Sequence, residues 1–64
     1  MPFYKIGIDC NLAGADEYYV VEAPTECDAS DMAEALALET YQPYGWVEKE
    51  ISEEEIDEEG LFYA

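Results

Sequence analysis

The chain has no histidine, no arginine and only two lysines, Lys5 and Lys49. Without histidine there is no side chain that ordinarily titrates near neutrality, and neither a Ser-His nor a Cys-His nucleophile pair can be built. No arginine is present to stabilise developing negative charge, and there is no glycine-rich phosphate loop. Paired carboxylates can perform acid-base chemistry, but that needs a cleft and a substrate surface that 64 residues scarcely provide. An enzyme is not expected, and neither is direct nucleic-acid binding, which calls for a basic patch that two lysines cannot form.

Other shortages narrow the class further. No apolar run approaches the roughly 18 residues of a membrane span, and Met1 to Lys5 lacks the layout of a signal peptide. An acidic surface is also repelled by anionic lipid headgroups, so no membrane role is expected and the chain reads as cytosolic. The two cysteines, Cys10 and Cys27, fall short of the four ligands of a structural zinc site. On the strand reading below they lie roughly 20 Å apart, where a disulfide needs Cα atoms within about 7 Å, so both are expected to be reduced. Calcium is a more serious competitor at Asp57, Glu58 and Glu59, yet the EF-hand pattern is absent, and no cofactor or metal is expected.

What the chain does have is acid. Seventeen of its residues are Asp or Glu, giving a formal net charge of -15 on one small domain. Charge at this density opposes compaction, which implies that something outside the fold requires it. Half of the residues are nevertheless hydrophobic, too many for a disordered chain.

Local patterns place the elements. Tyr4, Ile6, Ile8 and Cys10 alternate with Lys5, Gly7 and Asp9, the pattern of a half-buried strand. Turn residues between Asn11 and Asp16 lead to a second strand over Glu17 to Ala23, stopped by Pro24, so the two read as a hairpin. Asp28 is the expected N-cap of a helix carrying Met32, Ala33, Leu36 and Tyr41 on its inner stripe and Ser30, Asp31 and Glu34 outside; Pro43 and Gly45 end it. A third strand, expected at an edge, follows from Trp46 to Ile51, with Val47, Lys49 and Ile51 on one face. Ser52 and Glu55 form a capping-box pattern for a single helical turn through Glu59, closed by Gly60, and Leu61 to Tyr63 read as a short last strand. The expected fold is α+β in the order β-β-α-β, one helix on an antiparallel sheet, with an acidic C-terminal segment.

Eight of the seventeen acids fall between Glu48 and Glu59. A charge run is commonly a solvated tail. Here Ile56, Leu61, Phe62 and Tyr63 interrupt or follow it, so the run is expected to pack back and hold its carboxylates in place. Alternate strand residues lie about 6.6 Å apart and helix residues four apart roughly 6 Å, the same order as phosphate spacing along a strand. The candidate partner-binding residues are therefore Glu48, Glu50, Glu53, Glu54, Glu55, Asp57, Glu58 and Glu59, joined by Asp31 and Glu34 on the helix.

In size, acidity and aromatic content the whole chain resembles the small, very acidic inhibitors encoded by bacteriophages, including anti-CRISPR and anti-restriction proteins, that mimic DNA. No sequence motif defines that class, so the residues above come from the charge map alone. The succession Tyr4, Lys5, Ile6, Gly7, Ile8, then Tyr19 to Ala23, then a helix with Met32 to Leu36 also looks like many small phage domains. The resemblance implies a basic partner whose nucleic-acid channel is occupied, with a type I CRISPR surveillance complex as the expected target. Carboxylates would pair with its Lys and Arg, and binding would weaken with salt. Specificity would come from aromatic anchors, with Trp46, Tyr44 and Tyr18 as candidates. The alternative is a non-catalytic phage accessory or structural module whose acidity serves solubility, with a charge shield for a basic protein between the two.

Overall fold

The computed structural model describes residues 1–9 and 17–64. Its elements run β1 (Phe3–Asp9), β2 (Glu17–Glu22), α1 (Glu26–Glu39), β3 (Tyr44–Ile51), α2 (Glu53–Glu59) and β4 (Phe62–Tyr63). The order across the sheet is β3-β1-β2-β4. β1 pairs antiparallel with both β2 and β3, whereas β4 joins β2 in parallel, so the sheet is mixed rather than wholly antiparallel. The fold is the expected small α+β domain, with β3 at an edge, the expected helical turn through Glu59 present as α2 and the short last strand as β4. The expected turn at 11–16 and the position of Cys10 lie outside the described residues; Cys27 is an exposed free thiol.

Each face of the sheet carries its own helix. Tyr4, Ile6 and Val21 point toward α1 and pack on Ala29 and Ala33, with Tyr19, Leu36 and Val47 at the margin. Val20 and Ile51 point the other way and enclose Ile56 of α2, flanked by Phe3 and Leu61. The acidic stretch is therefore no terminal segment. It is the end of β3 and an integral helix, after which the chain returns to the sheet as β4.

Four local expectations are corrected. Thr25, not Asp28, caps α1: its Oγ1 accepts from the Asp28 backbone N–H at 3.2 Å and donates to the Asp28 carboxylate at 3.1 Å. Ser52 and Glu55 repeat the arrangement at α2, where the Ser52 Oγ accepts from the Glu55 backbone N–H and donates to its carboxylate. The inner stripe of α1 is Ala29, Ala33 and Ala37, while Met32 is 45% and Tyr41 95% exposed. Small residues win because they let the helix lie close to the sheet, and Gly45 does the same from below. It does not end the helix but sits inside β3, where an added Cβ would meet the Ala33 carbonyl oxygen at 2.3 Å. Finally, β3 is bulged: Lys49 opposes Lys5 but Val47 opposes Ile6, leaving Glu48 as the extra residue. The bulge turns Val47 toward α1 and leaves Lys49 and Ile51 on the α2 side, where simple alternation would put all three together.

Both helices end in the same turn. In α2, Gly60 takes φ 65, its N–H bonds to Asp57 O and that of Leu61 to Ile56 O, a Schellman motif with its usual glycine. In α1 the N–H of Tyr41 bonds to Leu38 O and that of Gln42 to Ala37 O, with Tyr41 at φ 61. A left-handed conformation costs an L-residue about 1–2 kcal/mol, and here a tyrosine bears it. Among the described residues no helix is long and apolar enough to cross a membrane.

Candidate functional site

The lysines stand opposite each other, Lys5 on β1 against Lys49 on β3, on the face that α2 covers. Like charges placed so are mutually destabilising. α2 supplies the counter-charge: Lys5 Nζ donates to Glu59 Oε1 at 2.6 Å, and Lys49 Nζ donates to Glu55 Oε2 at 3.1 Å while lying 3.6 Å from Glu59 Oε2. Glu55 and Glu59 are one turn apart and share a helix face, and the neighbouring Ile56 is 2% exposed. The Lys5 ammonium also lies 4.5 Å from the centroid of the Tyr18 ring.

Titration follows this geometry. The hydrogen bond from Lys49 and its charge hold the Glu55 carboxyl below the ordinary carboxylate range. Lys5 does the same for Glu59. In return, the bond to Glu55 and the nearby acids raise Lys49. On the other face, burial and the charges of Glu50 and Glu26 raise the Tyr4 hydroxyl, and donation to Glu17 raises that of Tyr19.

The candidate residues fall into groups that the sheet keeps apart. Glu53, Glu54, Asp57 and Glu58 are exposed on α2. Glu55 and Glu59, partly exposed on the same helix, lie on the side toward the sheet, where the lysines hold them. Glu48, the bulge residue, accepts from Trp46 Nε1 at 2.5 Å, so the half-buried Trp46 orients a carboxylate instead of standing free as an anchor. Glu50 opposes Tyr4 and therefore belongs to the α1 face. Asp31 and Glu34 are exposed on α1, across the sheet from α2, so they do not extend its row. The acid is arranged on both faces rather than as a single strip. Tyr18 is engaged by Lys5, and Tyr44 is 43% exposed.

Both lysines are ion-paired to Glu55 and Glu59, and the chain has no other basic side chain for the outward carboxylates. The longest dimension of the molecule is 29 Å. Dividing 29 Å among 15 net charges gives about 1.9 Å per charge, close to the roughly 1.7 Å per charge along the axis of duplex DNA. Among the described residues no group of three or more Cys, Asp or Glu is gathered as metal ligands. The lysine clamp was not read from the sequence, although the alternation of β1 had already put Lys5 opposite the Tyr4 and Ile6 face. Comparison with protein-family models, curated proteins and solved structures finds no match.

Proposed function

We propose that this protein is a non-catalytic inhibitor, working in the bacterial cytoplasm, that occupies the basic nucleic-acid-binding surface of a host defence complex in place of DNA. The observation that carries the reading is the charge arrangement. The net charge per length approaches that of a duplex, and the only two lysines are both ion-paired to Glu55 and Glu59 of α2. A partner built to hold phosphates with Lys and Arg meets carboxylates held on a folded frame, and opposite fields speed the encounter. A type I CRISPR surveillance complex, with its long basic DNA path, is the first target to test.

The test neutralises the outward acids while sparing the clamp. A Glu53→Gln, Glu54→Gln, Glu58→Gln variant removes three charges from α2 and keeps Glu55, Ile56 and Glu59. Its melting temperature should hold or rise as self-repulsion falls, while inhibition of DNA binding is lost. Full inhibition by the variant would place the activity elsewhere and favour an interaction module whose acidity serves solubility.

A further inference from the structure

The C-terminal end of α1 bears an exposed apolar surface that the acidic reading does not use. Leu38 is 76%, Tyr41 95% and Tyr44 43% exposed. Leu38, Gln42, Pro43 and Tyr44 line a groove of about 300 Å³ there, with Glu34 on its wall. Tyr41 belongs to the same turn, since its N–H bonds to Leu38 O and it precedes Gln42. It holds a left-handed φ of 61 where α2 uses Gly60, and with its side chain 95% exposed no packing among the described residues offsets that strain.

The surroundings are electronegative. Glu34 and Glu39 lie in the last turns of α1, no basic residue accompanies them, and the helix terminus adds its own partial negative charge. A second copy of the chain is a poor occupant, because each carries a formal charge of -15. The complementary ligand is an aliphatic stem ending in a cation. Between the two candidates, guanidinium stacks on an aromatic ring better than ammonium does and loses less hydration.

We propose that Leu38, Tyr41 and Pro43 form a docking site for an arginine of the partner protein, its guanidinium stacked on the exposed Tyr41 ring and faced by Glu34. The inference rests on the proposed basic partner and adds an anchor on the face opposite α2, where charge alone gives no selectivity. Tyrosine is retained in the strained position for its ring.

The test titrates isotopically labelled protein with an oligo-arginine amide and with an oligo-lysine amide of equal length, following backbone amide shifts. The site predicts movement at Leu38, Tyr41, Gln42 and Tyr44, larger for arginine than for lysine. Tyr41→Gly and Tyr41→Asn should weaken oligo-arginine binding at this end by about two- to fivefold. Both should melt higher than the wild type, and Tyr41→Phe should bind like it. Shifts confined to α2, or a Tyr41→Gly protein that binds unchanged, would overturn the docking site while leaving the acidic reading standing. No shift anywhere with either peptide would overturn both.

Discussion

Replacing Gly45 with alanine should drive α1 away from the sheet. The new Cβ would lie 2.3 Å from the Ala33 carbonyl oxygen, 2.7 Å from its carbon and 3.1 Å from Ala37 Cβ. The first two are backbone atoms inside a helix, so no side chain can swing aside. Ordinary contact requires the helix to retreat by roughly 1 Å at Ala33, which loosens the alanine stripe from the sheet; overpacking of this kind costs about 1–3 kcal/mol. Alanine in a strand recovers about 0.5–1 kcal/mol of backbone entropy relative to glycine; because the clashing atoms are backbone, the overpacking falls in the upper half of its range, about 2–3 kcal/mol, and the net loss is about 1–2.5 kcal/mol. In a domain of this size each kcal/mol moves the melting temperature by about 4–8 °C, so a fall of roughly 4–20 °C is expected. Thermal unfolding followed by circular dichroism at several scan rates measures it. Gly60→Ala is the control: nothing lies within 4 Å of its added Cβ, so any loss there reports the φ of 65 alone. A Gly45→Ala protein as stable as the wild type would refute the close helix-to-sheet packing.

Four further outcomes bear on α2. Ile56→Ala should cost about 2–4 kcal/mol of local stability, seen as faster amide exchange across Glu53–Glu59 while β1 stays protected; equal acceleration in both would contradict a separately anchored helix. Because Glu55 and Glu59 titrate lower when folded, their stabilising contribution is complete above the ordinary carboxylate range. It is lost as the pH falls below about 4, through their depressed values. The raised Lys49 adds a second boundary: its contribution is lost as the pH rises through its elevated value, above about 10.4. Side-chain carboxyl shifts followed against pH test this, and Lys5→Met should return Glu59 toward ordinary titration; an unmoved Glu59 would show that the Lys5 bond does not set it.

The sequence was legible where local rules act alone. Pro24 stops β2, Ser52 and Glu55 cap α2, and Gly60 closes it, because each effect depends on residues within one turn. Expectation failed where packing decides between local options. Of the expected inner stripe, Ala33 is buried and Leu36 packs at the core margin, but Met32 and Tyr41 are exposed, because a helix lying on Gly45 needs alanine at its closest contact points. A one-residue bulge at Glu48 is invisible to a two-residue period, yet it decides that Lys49 meets Lys5. The candidate acids were readable as a composition and only partly as a site. Glu53, Glu54, Asp57 and Glu58 face out, whereas Glu55 and Glu59 serve the lysines and Asp31 and Glu34 lie across the sheet.

The central claim is that this acidic surface takes the place of DNA. Its most direct measurement is a gel-shift competition in which the protein and target DNA contend for a type I surveillance complex, at low and high salt. The account predicts that the protein blocks DNA binding, that excess DNA reverses the block, and that salt weakens the protein's own hold on the complex. A complex that binds the protein and DNA together, with an affinity for the protein that salt leaves unchanged, would contradict it.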